Sequence, residues 1–221
     1  MRQGHAGADP VTTAAGSLRW LTIHDDLLRG LAHAISNRLA TVAASASVLE
    51  AGLVPDPRFI DGLQRDADRL EGLLQGLRQL PRSLDGAPEP LLLADIVDSA
   101  RRLVEEHAGF RGRALHVEPV GDVLPVRADP VAALHATAVA LLGAGRRAAA
   151  TVVVTLETVG DEVRLTARGD GGAEDPQQHL LDLDVEAIRW LLAASAGRAA
   201  ALPDGCAFTL PTLAASRRGG R

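Results

Sequence analysis

Leu31-Ala32-His33-Ala34-Ile35-Ser36-Asn37-Arg38-Leu39-Ala40-Thr41-Val42 is the stretch whose reading decides the fold. It lies in a segment with no proline between Val11 and Pro55. Leu28, Ile35, Val42 and Leu49 recur at heptad spacing, and Ala32, Leu39 and Ala46 form a companion row. Two such rows predict a long helix that packs along other helices. At about 100° per residue, His33 falls roughly 140° from the Leu28 row, which turns its imidazole towards water. An exposed histidine, with an unperturbed pKa of about 6.5, is largely neutral and nucleophilic at pH 7 and can accept and surrender a phosphoryl group.

Working outward, the helix is expected to start near Ser17 and to run to about Ala51, where Gly52 and Pro55-Asp56-Pro57 end it. A second helix is expected from about Arg58 to Leu80, with Ile60, Ala67 and Leu74 in one row and Leu63, Leu70 and Leu77 in the other. Two amphipathic helices joined by a short turn predict an antiparallel hairpin. One hairpin has nothing on which to bury two full seams, so a homodimer, closing a four-helix bundle, is expected. Residues 1–16 show no periodicity and read as a flexible tail. Residues 81–90, rich in Pro and Gly, read as a linker.

From residue 91 the pattern becomes mixed α/β. A helix over about Leu93–His107 is followed by strands near Ala114–Val120 and Leu124–Ala128. Asp129-Pro130 is a helix start, with Asp capping and Pro in the first turn, for a helix to about Arg147. Thr151–Thr158 and Glu162–Ala167 predict a hairpin around Val159-Gly160-Asp161. A helix over about Val185–Ala196 should end on Gly197 as a left-handed cap. Strands near Arg198–Leu202 and Cys206–Leu210 complete the unit, 91–212, and 213–221 reads as a second flexible tail. The fold class expected is α+β, a helical hairpin followed by an α/β sandwich.

Composition narrows the function. The chain has 221 residues, is 47% hydrophobic and only 2% aromatic, so its core must be built from Leu, Val, Ile and Ala. Its net charge of −5 argues against nucleic acid as partner. Every basic residue is arginine, and with abundant alanine this points to a GC-rich bacterial genome. The lone Cys206 excludes an intramolecular disulfide and a multi-cysteine zinc site. Glu105-Glu106-His107 lacks a second ligand pair at metal spacing. No apolar run approaches the roughly 18 residues of a membrane span, and a soluble cytoplasmic protein is expected.

The stretch Leu-Ala-His-x-Ile-x-Asn-x-Leu-Ala resembles the H-box of two-component sensor histidine kinases, with His33 at the phospho-accepting position and Asn37 at the polar position four residues on. Ala34 replaces the family's acid, and Arg38 its proline. The order of elements after residue 91 is likewise similar to the ATP-binding (Bergerat-type) domain of these kinases, so the resemblance covers roughly residues 18–212.

The boxes that do nucleotide chemistry in that family look eroded. Where the family places a magnesium-holding asparagine, this chain has Ala140 and Ala144, which offer no oxygen to a hard cation. Where the family has D-x-G-x-G, the segment is Arg168-Gly169-Asp170-Gly171-Gly172, with Gly169 in the place of the adenine-binding aspartate. A one-residue slip would bring Asp170 into play only by breaking the alignment of the strand before it. The stretch Gln177–Asp184, where a glycine-rich lid belongs, contains no glycine. A hydrogen bond to a charged acceptor contributes about 1.5–3 kcal/mol, so loss of that aspartate alone costs about ten- to a hundredfold in affinity.

The resemblance implies a histidine phosphotransferase with a degenerate kinase domain, relaying a phosphoryl group between response-regulator receiver aspartates. His33 would be the carrier and Asn37 its supporting neighbour, with no cofactor bound by the chain itself and Mg²⁺ supplied by the receiver. Three alternatives fit the same residues: a non-catalytic scaffold in which His33 carries nothing, an active kinase with unorthodox nucleotide contacts, and a receiver phosphatase in which Asn37 orients water. Arg146-Arg147, at a helix end, reads as dipole complementation rather than a phosphate site.

Overall fold

The computed structural model describes residues 10–51, 56–80, 86–105, 107, 110–171 and 178–219. Helix α1 spans Pro10–Glu50 and α2 spans Pro57–Gln79. Strand β1 (Glu89–Leu91), helix α3 (Leu93–Val104), strands β2 (Ala114–Val120) and β3 (Val126–Ala128) and helix α4 (Pro130–Arg147) follow. The chain then runs through β4 (Thr151–Val159), β5 (Glu162–Gly169), α5 (Gln178–Leu192), β6 (Arg198–Leu202), β7 (Gly205–Pro211) and α6 (Leu213–Gly219).

The hairpin forms as its sequence dictates. Asp56 caps α2 by accepting from the Phe59 amide at 2.7 Å, with Pro57 in the first turn. Arg38 meets Asp66, and Leu31 lies beside Gly76, so α1 and α2 run antiparallel. The turn expected at Gly52–Pro55 lies outside the described residues.

Two tails are shorter than their sequence suggests. Helix α1 starts at Pro10, not near Ser17, because its first turns dock on α5. Gly16 permits that approach: a Cβ there would stand 2.5 Å from the Glu186 carbonyl oxygen. At the other end, residues 213–219 form α6, whose first turn is capped by the Thr212 hydroxyl accepting from Ala215 N at 3.2 Å. The close of the expected linker is also ordered, since β1 pairs antiparallel with β3.

The main sheet has the order β2-β4-β5-β7-β6, with β2 and β4 parallel and all other pairs antiparallel. Period-two alternation sends Val152, Val154 and Leu156 of β4, Val163, Leu165 and Ala167 of β5, and Cys206, Phe208 and Leu210 of β7 to one face. Helix α4 lies at the centre of the helical layer. Almost its whole length is buried, because α3, α5 and the sheet surround it. The same core cluster takes in Trp20, Ile23, Leu27, Leu31 and Ala34 of α1, so the hairpin and the sheet unit share one apolar interior.

Helix α5 begins at Gln178, several residues before the expected Val185, and continues through a 3₁₀ turn at Ala193–Ser195. The left-handed residue after that turn is Ala196 (φ 53°), not Gly197. Gly197 is required for space instead: a Cβ there would fall 2.5 Å from Leu192 Cβ.

Candidate functional site

Two apolar stripes lie side by side on α1, and only one is used within the chain. Trp20, Ile23, Leu27, Leu31 and Ala34 face the protein's own interior. Of the heptad rows expected to be buried, Ile35 packs against that interior, while Leu28 and Leu39 stay outside it, 39% and 51% exposed. Leu28 is three positions from Leu31, so the two stripes are offset by about 60° around the helix. Ile60, Leu74 and Leu77 of α2 are exposed as well.

His33 is exposed on α1, on neither stripe. Its Nε2 lies 3.1 Å from Asn37 Nδ2, one helical turn on. With the ring proton on Nδ1, the amide donates to the Nε2 lone pair. The two sequence-expected site residues are therefore brought together. Arg38, in place of the family's proline, donates to Asp66 Oδ1 at 2.8 Å and ties α1 to α2 just beyond the histidine. Ala34, in place of the acid, is buried against the core, where a carboxylate would be desolvated.

The second region lies between α4 and α5. Ala140 and Ala144 are completely buried. Asp184 of α5 is fully buried and paired on both oxygens: Arg19 Nε donates to Oδ1 at 2.8 Å, and Arg146 donates to Oδ2. Burial pushes the Asp184 carboxyl above its ordinary value, while Arg146 and Arg19 pull it back. The same burial lowers Arg146. Gly143 lets the helices close, since a Cβ there would stand 3.2 Å from Asp184 Oδ2 and 3.5 Å from Leu181.

Gly169 is walled in by the end of α4. A Cβ at that position would lie 2.5 Å from both Ala144 O and Ala148 N. Asp170 points elsewhere: its Oδ1 accepts from the Ala150 amide at 3.0 Å, and this bond, with one from Thr151, holds its carboxyl below the usual range. Asp170 is therefore committed to the backbone. Arg147 donates to the Pro203 carbonyl at 2.6 Å, so both terminal arginines of α4 are occupied internally and not by the helix dipole alone. Residues 172–177, where a lid would fall, lie outside the described residues.

A cluster that the sequence did not announce secures this arrangement. The chain's two tryptophans, Trp20 and Trp190, meet in a tilted contact at 5.6 Å between ring centroids. His24 and His135 lie against Trp20 at 5.1 and 5.8 Å. His24 is therefore a packing residue; nine positions before His33, it lies about 180° around α1 from it. Asp182 and Asp184 alternate with leucines between Leu180 and Val185, and nothing local marked Asp184 as the buried one or named its partners.

Among the described residues, no group of three or more His, Cys, Asp or Glu is arranged to hold a metal ion. Burial pushes His107 below its ordinary value. No described helix is long and apolar enough to cross a membrane.

No family model and no curated protein matches the chain. Its structural neighbours are histidine kinases and a phosphotransferase. A bacterial phosphotransferase shares 14% identity at a TM-score of 0.48, over 86% of this chain and 95% of the other. The histidine kinase AdeS of Acinetobacter baumannii shares 15% at 0.45, over 82% and 98%. The mycobacterial sensor histidine kinase MprB shares 19% at 0.44, over 57% and 97%.

Proposed function

We propose that this chain is a histidine phosphotransferase that relays a phosphoryl group between response-regulator receiver aspartates through His33, without binding ATP. One observation carries the reading. His33 is an exposed imidazole on an anchored helix, and its Nε2 is addressed by Asn37 at 3.1 Å. In the transfer, Nε2 attacks the phosphorus of an incoming aspartyl phosphate in line. The N–P bond forms as the P–O bond to the aspartate breaks, and the carboxylate leaves with that electron pair. Asn37 swings off the lone pair and then donates to a phosphoryl oxygen. The second receiver reverses the step. Positioning supplies most of what such a transfer needs, and Mg²⁺ comes from the receiver.

The space between α4 and α5 favours a chain that binds no nucleotide. Ala140 and Ala144 offer no metal-binding oxygen, Gly169 has no room for a carboxylate, and Asp184 with two arginines occupies the interhelical space. These residues do not fit an adenine nucleotide with its magnesium. The exposed row Leu28, Leu39, Ile60, Leu74 and Leu77 supports a homodimer through the hairpin, because an exposed apolar stripe of this length is ordinarily covered by a partner.

The test is incubation of the chain with phosphorylated receiver domains, followed by a search for acid-labile, base-stable phosphate. Label on His33 supports the relay. Phosphate that never leaves the receivers contradicts it.

A further inference from the structure

A hollow of about 370 Å³ lies where α1, α2 and α3 meet, lined by Arg38, Arg69, Gly72, Leu73, Arg102 and Glu105. Arg38 is about 140° around α1 from His33, so the hollow opens on a different face from the candidate phospho-carrier. Each of the three helices contributes one arginine. Arg38 is paired with Asp66, and Glu105 is held by Arg101 at 3.4 Å. Arg69 and Arg102 are exposed and make no ion pair among the described residues. In a chain of net charge −5, this is a local inversion of sign.

Gly72 is the second observation. A glycine inside an exposed helix is less stable there than alanine, and here no atom requires it. Nothing stands within 4 Å of the position its Cβ would take. Its effect is to keep the floor of the hollow open.

We propose that this hollow binds a small polyphosphate anion. Guanidinium groups present planar forks that match phosphate oxygens in pairs. Donors spread over three helices suit an anion with acceptors on more than one phosphorus. The lining has no aromatic ring on which a base would stack, so the phosphate chain is the recognised part. A bound anion joins α1, α2 and α3 at one point and fixes the hairpin against the sheet unit.

Calorimetry at low salt, where screening is weak, tests this on the full chain with inorganic phosphate and inorganic pyrophosphate as probes. Pyrophosphate should bind saturably, one per chain and at least tenfold tighter than phosphate. Arg69→Gln and Arg102→Gln should each weaken it at least fivefold. Gly72→Leu, which fills the hollow without changing charge, should abolish it while leaving Tm unchanged or higher. Arg58→Gln, at the far end of α2, should have no effect, and His33→Gln should bind as the parent does. Pyrophosphate no tighter than phosphate, full binding by Gly72→Leu, or an equal loss in Arg58→Gln would overturn the proposal. So would a hexaglutamate peptide that binds where pyrophosphate does not, which would make the hollow a protein-docking patch.

Discussion

Arg19 in α1 donates through Nε to Oδ1 of Asp184 in α5 at 2.8 Å, across 165 residues of sequence. Arg146 takes the other oxygen, so one buried carboxylate joins α1, α4 and α5. This contact makes the first half of α1 part of the sheet unit and leaves the second half to project as a hairpin.

Asp184→Asn should therefore be costly. It leaves two partly buried guanidiniums facing a neutral amide, and breaking a buried ion pair from one side costs about 3–5 kcal/mol. Urea unfolding followed by tryptophan fluorescence measures this, since Trp20 of α1 packs against Trp190 of α5. A loss below 1 kcal/mol would mean that the triad does not anchor α1.

Placing an aspartate at position 169, as in the kinases that the sequence resembles, should not create a nucleotide site. A Cβ there meets the backbone of α4 at 2.5 Å, where no flexible side chain can yield. Gly169→Asp should destabilise by about 3 kcal/mol or more, beyond ordinary overpacking, and should show no thermal shift with ATP and Mg²⁺. Binding at a hundredfold excess over Kd would stabilise by about 2.7 kcal/mol. An upward shift in the parent or the variant would refute the closed-site reading.

Asp170 gives a pH dependence of known sign. The amides of Ala150 and Thr151 hold its folded-state pKa below the ordinary aspartate value. Its contribution is thus complete above about pH 4 and is lost as pH falls through the lowered value. Asp170→Asn keeps an acceptor oxygen and removes the titration. Urea midpoints of parent and variant between pH 2 and 5 should converge towards the acid end. A constant gap would remove the carboxylate from the account.

The hairpin should dimerise through the stripe its own core leaves uncovered. Leu39→Asp and Leu74→Asp alter side chains already exposed in the single chain, so each should leave the fold intact. Both should shift the protein from dimer to monomer in light scattering. Ile35 is a poorer choice, because it packs against the protein's own core. A monomeric parent would contradict the bundle.

How much of this was legible in the sequence differs between the units. Asp56-Pro57 and Asp129-Pro130 mark their helix starts by local capping chemistry, and the β4–β5 hairpin follows from alternation around Gly160. The heptad row from Leu28 to Leu49 was legible as an apolar stripe, but periodicity cannot say whether a stripe meets its own chain or another. The stripe that α1 buries at home, Trp20 to Ala34, answers to α5 and α3, whose positions only the tertiary fold sets. The same reason hid the helical turns at 10–16, where Gly16 makes sense only against Glu186. His33 and Asn37 were legible because one helical turn brings them together. His24 was not, since its burial depends on His135, more than a hundred residues away.

The central claim is that His33 carries the phosphoryl group. His33→Gln alters an exposed side chain, so stability should stay within about 0.5 kcal/mol of the parent. His179→Gln, also at an exposed histidine, serves as control, since His24 is committed to the tryptophan cluster. The decisive measurement is phosphoryl transfer from a labelled receiver to each of the three chains. The account predicts label on the parent and on His179→Gln and none on His33→Gln. Label retained by His33→Gln would contradict it.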